Sequence, residues 1–387
     1  MFVVAEVGKN FINTAEERPV EEYLANAKAL VKAAKEAGAD AVKFQTHTVD
    51  DEQLNVEIVS PHFKGADRHS WILRNERSTP FDDFWRPLKQ YCDEIGIVFF
   101  STPMSRGAAQ KLQALDVPIW KVGSGDLLDF VMLDYLASTR KPIIISSGMS
   151  TLEEVDWAMD FLKRRGVETV LMHCVSKYPC PPEDLNLGTI KFLEERYSLP
   201  IGFSDHSIGY ESAVAAVALG ARIIEKHFSF SRDLWGADHK VSMTPDEFRI
   251  MVAEIRALEK QPAQKSVWLE RDAVKAGLGS GPKTLQEGEA VFRPYFRKSL
   301  MAGRNIPAGT AITADMLYAM RPQAHAGGLP SEEYENVLGR AAKTNLKKYG
   351  PIKWETLTLN SKSQAPNSKQ YPNSNDQNSK RVLNLEF

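Results

Sequence analysis

Short apolar segments alternate with helical segments from residue 2 to about residue 260. The short segments are apolar at consecutive positions, rather than at every second one, which is typical of parallel strands buried on both faces. The eight segments are 2–7, 41–44, 97–100, 119–122, 142–145, 169–172, 200–203 and 222–224. Between them, one apolar helix face runs through 20–34, and Gly38 follows as a stop signal. Similar helical periodicity is found at 105–115, 151–165, 210–219 and 245–259.

This order of elements predicts a (β/α)8 barrel, or TIM barrel, over residues 1–260. A doubly wound sheet is the alternative, but it rarely holds eight parallel strands, and no G-x-G-x-x-G motif follows the first segment. Residues 261–292 are poor in apolar positions and are interpreted as a linker. A small β-rich domain is predicted over 293–358, and the Asn-, Ser-, Gln- and Lys-rich composition of 359–387 predicts disorder.

Composition narrows the class of protein. The 387 residues carry 48 Lys and Arg against 50 Asp and Glu, so no basic field indicates nucleic acid or a membrane surface as a partner. No apolar run approaches the roughly 20 residues that span a bilayer, and the first residues lack the pattern of a signal peptide. Three cysteines cannot form a disulfide framework in a chain of this length, and we therefore expect a cytoplasmic protein.

Polar residues able to bind an anion, a metal or a proton follow the predicted strands. In a TIM barrel the chemistry lies at the C-terminal ends of the strands, so these residues are expected to meet at one rim. They are, in chain order, Glu6, Lys43, Gln45, Thr102, Lys121, Ser124, Ser146, Ser176, Tyr178, Ser204 and Glu225. Any single one could be a solvated strand end. Charged residues are almost never buried without a partner, however, and a complete ring of them predicts a polyanionic or metal-bound ligand.

Two histidines follow neighbouring strands, His206 after the seventh and His227 after the eighth. Asp205 directly precedes His206, and Glu225 lies two positions before His227. Two imidazole ligands without clustered cysteines suit Mn²⁺, Mg²⁺, Co²⁺ or Zn²⁺, with positions left for water and substrate. The pattern therefore indicates a metal site, and a structural role for both histidines stays the alternative.

Lysines and hydroxyls at the same rim indicate an anion site. Lys43 and Lys121 could neutralise a phosphate and a carboxylate together, with neighbouring hydroxyls donating hydrogen bonds. The segments 124–126 (SGD) and 146–149 (SSGM) contain glycines that would let backbone N–H groups approach the same anion. Each motif alone is also ordinary turn chemistry.

Eight motifs together resemble the sialic acid synthases, the family of N-acetylneuraminate, legionaminate and pseudaminate synthases. In chain order they are GADAVKFQ (38–45), STPMS (101–105), KVGSGD (121–126), SSGM (146–149), HCVSKYP (173–179), GFSDHS (202–207), EKHF (225–228) and GADHKVS (236–242). The resemblance covers about residues 1–358, including a C-terminal antifreeze-like (SAF) domain. It implies a TIM barrel followed by a β-clip domain, and a domain-swapped homodimer in which each small domain caps the partner's barrel.

The resemblance also implies a metal-dependent condensation of phosphoenolpyruvate with an N-acetylmannosamine-like sugar, which yields a nine-carbon 2-keto acid and phosphate. His206 and His227 would bind the divalent metal, expected to be Mn²⁺ with Mg²⁺ and Co²⁺ as alternatives. Glu6 would line the reacting pocket, and Glu225 would act as an acid/base or support the metal site. The residues implied for phosphoenolpyruvate are Lys43, Thr102, Lys121, Ser124, Ser146 and Ser204. Those implied for the sugar are Gln45, Tyr178 and Asp238. Arg321 would reach the N-acyl group of the sugar from the small domain of the partner subunit.

The chain departs from the family pattern mainly on the side of the acceptor sugar. The common Asn-His-x-Gly motif is absent from residues 8–19, and Ser176 replaces a common Asn, which removes an amide contact at this substrate-binding position. The segment 323–330 is longer than usual, so the pose of Arg321 is left open. The segment 46–80 is expected to border the sugar pocket. Its candidates for recognition are Arg68, His69, Trp71, Arg74 and Asn75.

Three other interpretations stay open. A class I aldolase would form a Schiff base at Lys43 or Lys121 and would need no metal. A synthase of seven- or eight-carbon keto acids would share the donor but generally lacks the antifreeze-like domain. A carbohydrate- or ice-binding module would leave the ring of polar strand ends without a role.

Overall fold

Eight parallel strands form the centre of the protein. The computed structural model describes residues 1–58 and 67–358, and the tail predicted over 359–387 lies outside that part of the chain. The strands are β1 (Phe2–Gly8), β2 (Ala41–Thr46), β3 (Val98–Pro103), β4 (Trp120–Val122), β5 (Ile143–Ser146), β6 (Thr169–Cys174), β7 (Ile201–Asp205) and β8 (Ile223–His227). Their order is β3-β2-β1-β8-β7-β6-β5-β4, and β3 packs beside β4. The prediction of a TIM barrel is confirmed.

Helices alternate with the strands and cover the outside of the barrel. They are α1 (Val20–Glu36), α2 (Val49–Glu52), α3 (Arg68–Arg77), α4 (Arg86–Glu94), α5 (Arg106–Gln113), α6 (Phe130–Ser138), α7 (Leu152–Arg164), α8 (Thr189–Tyr197), α9 (Glu211–Ala218) and α10 (Pro245–Lys260). Three of them, α2 to α4, lie in the connection between β2 and β3. Within the described ranges, none has the length and apolar composition that crossing a bilayer requires.

The barrel interior is filled in layers by every second residue of the strands. An apolar layer lies towards the N-terminal ends and consists of Val4, Ala41, Phe100, Ile119, Ile144, Val170, Met172 and Ile223. Two residues further along β1, β2 and β4, the side chains are Glu6, Lys43 and Lys121. Because side chains alternate between the two faces of a strand, these polar groups point into the same interior, above the apolar layer. The candidate site residues therefore continue the strands, which explains why β8 extends beyond its predicted end to His227.

The segment interpreted as a linker is folded against the barrel. It contains α11 (Lys265–Leu269), α12 (Asp272–Leu278) and α13 (Glu287–Ala290), and α14 (Arg293–Phe296) follows directly. Trp268 and Val274 are buried in the main core. The backbone of Leu187 donates to the carbonyl of Gly277 at 2.8 Å. A few buried anchors and backbone hydrogen bonds hold this segment, so its low apolar content did not reveal that it is folded.

A small β-rich domain follows, as expected. The strands β9 (Ser299–Ala302) and β10 (Leu317–Met320) form an antiparallel pair, with α15 (Gln323–Ala326) and α16 (Tyr334–Val337) after them. Isolated β-bridges join the first half of the small domain to its second half, for example Ile306 to Leu346. Leu300, Ile312 and Ile352 are buried between these elements.

The small domain lies on the barrel of its own chain. The side chain of Arg106, at the start of α5, donates to the carbonyls of Ala314 and Leu317 at 2.6 and 2.8 Å. The backbone of Arg321 donates to the carbonyl of Glu52 at 2.9 Å. The folded segment before the small domain leads the chain to the rim of the same barrel, and an exchange of small domains between two subunits stays a prediction. Formation of a homodimer stays a prediction.

Candidate active site

One cavity opens at the C-terminal rim, between the barrel and the small domain. The structure brings every residue predicted for the metal, for phosphoenolpyruvate, for the sugar and for the reacting pocket to this cavity, apart from some recognition candidates of the segment 46–80. The individual roles of these residues stay predictions. The predicted residues that line it are Glu6, Lys43, Gln45, Thr102, Lys121, Ser124, Ser146, Ser176, Tyr178, Ser204, His206, Glu225, His227, Asp238 and Arg321. Side chains that were separated by more than three hundred residues in sequence thus meet at one place.

Lys43 is a buried cation between two carboxylates. Its Nζ lies 2.5 Å from Glu6 Oε2 and 3.8 Å from Glu225 Oε1, and it donates to Thr102 Oγ1 at 3.0 Å. Burial alone would lower the pKa of Lys43, but Glu225 and Glu6 outweigh it and raise the pKa above its ordinary value. Lys43 therefore keeps its charge at the floor of the cavity.

Lys121 approaches Glu225 from the other side. Its Nζ is 3.6 Å from Glu225 Oε1 and donates to Ser146 Oγ at 2.8 Å. Ser204 Oγ donates to the same carboxylate oxygen at 3.0 Å. The two lysines and these hydroxyls converge on one buried carboxylate, so a ligand in this space meets two positive charges and several hydrogen-bond donors.

The two carboxylates have opposite pKa shifts. Burial raises the pKa of Glu6, even though Lys43 opposes that effect. For Glu225, burial is outweighed by Lys121 and Lys43, which hold the pKa of that carboxyl below its usual range. Two titratable groups whose environments separate their pKa values are a common arrangement for an acid and a base. Glu6 is thus suited to carry a proton and Glu225 to stay ionised.

The two predicted metal ligands face each other. The ring centroids of His206 and His227 are 5.4 Å apart, and the ring of Tyr178 lies 4.2 Å from that of His206. His206 Nδ1 lies 3.0 Å from the carbonyl oxygen of Val175, so a proton on Nδ1 would leave Nε2 available as a ligand. The buried Nδ1 of His227 has no hydrogen-bond partner among residues 1–58 and 67–358. Burial also lowers the pKa of His227 to about 4, which keeps the imidazole in its neutral, ligating form.

These two imidazoles fit a divalent ion that takes its remaining ligands from water or substrate. In the described part of the chain, no three His, Cys, Asp or Glu residues are grouped as a complete metal set. Asp205, adjacent to His206 in sequence, accepts hydrogen bonds from Lys226 and Ser212 at 2.7 Å each. It therefore belongs to a buried ion pair that is separate from the two histidines.

Cys174 is a site residue that the sequence reasoning missed. Its buried Sγ lies 3.4 Å from Ser124 Oγ and 3.8 Å from both Ser176 Oγ and His206 Nδ1. The alternation of side chains along β6 could have revealed Cys174, because it comes two residues after Met172, whose side chain points into the barrel interior.

Because Gly148 has no side chain, the hydroxyls of two residues that line the cavity lie close to its backbone. A Cβ at this position would lie 2.3 Å from Ser176 Oγ and 2.6 Å from Ser124 Oγ. The backbone N–H groups of the segment SSGM were expected to approach a bound anion. At Met149 this expectation is wrong, because its N–H donates to the carboxylate of Glu289 at 2.9 Å. Glycine in this segment therefore makes room for side chains from neighbouring strands.

Replacing Gly148 by alanine is expected to destabilise the protein by about 1–3 kcal/mol, because the added methyl group overpacks this contact. It should also raise the KM of the substrate bound by Ser124. Thermal unfolding and steady-state kinetics measure the two effects. Gly123→Ala is the matched control, since its Cβ would meet only Thr102 Cγ2 at 3.7 Å. Equal stability of the two variants would contradict this account of Gly148.

The opposite side of the cavity is formed by the segment after β2 and by the small domain. Arg321 is buried and forms an ion pair with Asp126 of its own chain, while its Nε has no hydrogen-bond partner in the part of the chain that the structure describes. Gln45 Nε2 donates to Glu6 Oε1 at 2.9 Å. The guanidinium of Arg68 lies 4.4 Å from the ring centroid of Phe296.

The candidates in the segment 46–80 have different roles. Arg68 and Trp71 line the cavity, as expected for recognition. Arg74 instead donates to the backbone carbonyls of residues 14–16, and Asn75 donates to the carbonyl of Trp71. His69 is not among the residues that line the cavity. The first helix turn of α3 therefore faces the cavity and its last turn supports the surrounding chain.

Fold and site together define a TIM-barrel enzyme with a buried, cationic site at its strand ends. The family model of the NeuB family matches residues 30–266, and that of the SAF domain matches residues 297–358. The chain belongs to the NeuB family, the sialic acid synthases, which are enzymes that form C–C bonds. The resemblance inferred from the motifs is confirmed.

Similar proteins cover nearly the whole chain. The N,N'-diacetyllegionaminic acid synthase of Legionella pneumophila is 33% identical over 367 residues, which are 92% of this chain and 94% of that protein. The N-acetylneuraminate-9-phosphate synthase of Homo sapiens is 32% identical and covers 88% of each chain. The crystal structure of the spore coat polysaccharide biosynthesis protein SpsE of Bacillus subtilis has a TM-score of 0.71 at 32% identity, over 93% of this chain and 95% of that chain.

Proposed function

We propose that the protein condenses phosphoenolpyruvate with an N-acylated amino sugar of the N-acetylmannosamine type, giving a nine-carbon 2-keto acid and inorganic phosphate. The observation that carries the proposal is the pair of buried lysines, Lys43 and Lys121, on either side of Glu225 at the floor of one cavity. Relatives named as N-acetylneuraminate-9-phosphate and legionaminic acid synthases support this substrate class. The cytoplasmic location and the homodimer remain part of the proposal.

Phosphoenolpyruvate carries a phosphate and a carboxylate, and the floor of the cavity offers matching groups. Lys43 and Lys121 neutralise the two anions, and they are held in place by Thr102 and Ser146. The hydroxyls proposed to donate to the ligand are those of Thr102, Ser124, Ser146 and Ser204. Fixed cations in a buried site stabilise developing charge more strongly than water does, because they need no reorganisation during the reaction.

The reaction needs one proton donor and one proton acceptor. The methylene carbon of phosphoenolpyruvate attacks the aldehyde carbon of the sugar, and the aldehyde oxygen takes a proton to become a hydroxyl. Water adds to the former enol carbon and loses one proton. The bond from that carbon to the phosphate oxygen then breaks with its electron pair on the phosphate, the remaining hydroxyl proton passes to the phosphate, and a ketone remains. Glu6, with its raised pKa, is suited to give the first proton, and the ionised Glu225 is suited to accept the second.

The acceptor sugar is proposed to bind above this floor. Gln45, Ser176, Tyr178 and Asp238 contact its hydroxyls, and Arg321 contacts its N-acyl group from the small domain of the same chain. Mn²⁺, Mg²⁺ or Co²⁺ held by His206 and His227 would supply Lewis acidity next to the aldehyde. Burial of Arg321 in the cavity wall excludes water from this side.

Release of inorganic phosphate from phosphoenolpyruvate tests the proposal. A panel of N-acylated mannosamine-type sugars is supplied with the purified protein, with and without EDTA, and phosphate is measured. We expect release only when an acceptor is present, loss of release with EDTA, and recovery with added Mn²⁺. Release without any acceptor, or full activity in EDTA, would contradict it.

The class I aldolase hypothesis predicts a different result. A Schiff base requires a neutral amine, and the raised pKa of Lys43 opposes that form. Burial lowers the pKa of Lys121, so Lys121 is the lysine at which the aldolase hypothesis has to be tested. Borohydride treatment with substrate would trap a covalent adduct in an aldolase. We expect no adduct by mass spectrometry of the intact protein.

A further inference from the structure

A short segment before β9 crosses the rim of the barrel. We call residues 289–298 the rim strap. Its Lys298 donates to the carbonyl of Met104, after β3, at 2.6 Å. Its Arg297 donates to the carbonyl of Ser124, after β4, at 3.3 Å. The rim strap thus holds loops that carry phosphoenolpyruvate-binding candidates.

Glu289 joins two further loops with a single carboxylate oxygen. This residue is fully buried. Its Oε1 accepts hydrogen bonds from the backbone N–H of Met149, after β5, at 2.9 Å, and of Ser176, after β6, at 2.8 Å. Its Oε2 accepts from the backbone of Gln286 at 3.3 Å. Both oxygens of Glu289 are therefore used to hold backbone groups.

The loop after β5 has a strained backbone that needs this support. Met149 has a φ of +53°, in the left-handed region that non-glycine residues rarely adopt. Its N–H is held by Glu289, and its carbonyl accepts from Arg293 and Arg297 at 2.9 and 2.8 Å. A strained residue persists only where its surroundings fix it from several sides. The rim strap provides that fixation at Met149.

The position of this loop determines the position of the donor site. Ser146, which bonds to Lys121, precedes Met149 by three residues. Gly148 between them lies against the hydroxyls of Ser124 and Ser176. On the acceptor side Glu289 holds only the backbone of Ser176, and among the described residues it has no hydrogen bond to Gln45, Asp238 or Arg321.

We propose that Glu289 is a positioning residue for phosphoenolpyruvate, which fixes the loops after β5 and β6 so that Lys121, Ser124 and Ser146 face the donor. This inference rests on the proposed function. It assigns to the folded connecting segment a role in donor affinity. Glu289 itself does not contact the reacting atoms.

Substitution of Glu289 is expected to change the KM of phosphoenolpyruvate more than the KM of the sugar. In Glu289→Ala we expect the KM of phosphoenolpyruvate to rise about tenfold, since small displacements of binding groups have large kinetic effects. The KM of the sugar should rise less, by about two- to threefold, because Ser176 is the one acceptor-side residue that Glu289 holds. Glu289→Gln should show a smaller rise, because its amide oxygen can still accept both N–H groups. Glu287→Gln, an exposed position on the same helix, is the matched control and should behave as wild type.

Two results would overturn the inference. One is a KM for phosphoenolpyruvate in Glu289→Ala within twofold of wild type, and the other is an equal rise for both substrates. If Glu289→Ala does not fold, Glu289→Gln provides the test, and an unchanged KM for phosphoenolpyruvate in that variant would contradict the inference. Calorimetric binding of phosphoenolpyruvate alone measures the same difference without turnover. Absence of condensation in the wild type would instead contradict the proposed function, and the binding comparison would still test Glu289.

Discussion

Replacing Lys43 by methionine is expected to lower kcat/KM for phosphoenolpyruvate by about 10²- to 10³-fold. The substitution removes a buried cation 2.5 Å from Glu6 and 3.8 Å from Glu225. Removing one fixed group that stabilises developing charge in a buried site costs about 10²- to 10³-fold in rate. The ionised Glu225 would then repel the anionic donor with one cation fewer beside it. Steady-state kinetics with varied phosphoenolpyruvate measures the loss.

A matched control separates this effect from loss of folding. Lys32 is exposed on α1, and Lys32→Met should leave both kinetics and circular dichroism unchanged. If Lys43→Met keeps kcat/KM within threefold of the wild type, the donor does not bind at the floor of the cavity.

Removing both histidines is expected to abolish metal binding and to reduce turnover at least about 10³-fold, since a metal ion supplies several kcal/mol of charge stabilisation in such reactions. His206→Ala and His227→Ala remove imidazoles whose rings are 5.4 Å apart. Metal content per chain, determined by elemental analysis after dialysis against Mn²⁺, gives a readout that is independent of activity. The doubly substituted protein should retain no stoichiometric metal.

His325→Ala is the control for the double variant, because His325 is exposed on the small domain. It should bind metal and turn over as the wild type does. Near-normal turnover of the double variant would show that the metal assignment is wrong.

The barrel and the floor of the site could be predicted because both follow from the two-residue repeat with which side chains alternate along a β-strand. Val4 and Glu6, or Ile119 and Lys121, are two residues apart on a strand, so the apolar layer and the polar layer above it share one interior. The same period places Asp205 on the face opposite to Ser204. In the structure Asp205 pairs with Lys226 of β8 on that outer face.

Contacts between distant segments could not be predicted in this way. Glu289 lies in a stretch with few apolar residues, and nothing in its sequence surroundings indicates that it binds Met149 and Ser176. The partner of Arg321 likewise depends on the path of the connecting segment, which brings it to Asp126 of the same chain. Such contacts depend on tertiary packing, which local hydrophobic patterns do not encode.

The identity of the carbon–carbon bond formed is the most direct test of the proposed reaction. Phosphoenolpyruvate labelled with ¹³C at its methylene carbon is incubated with the protein and N-acylated mannosamine-type sugars, and ¹³C and ³¹P NMR spectra follow the products. We predict that the label appears as a methylene carbon within a nine-carbon 2-keto acid, in step with inorganic phosphate. Label found only in the methyl group of pyruvate would contradict the account, because phosphate would then be lost without condensation.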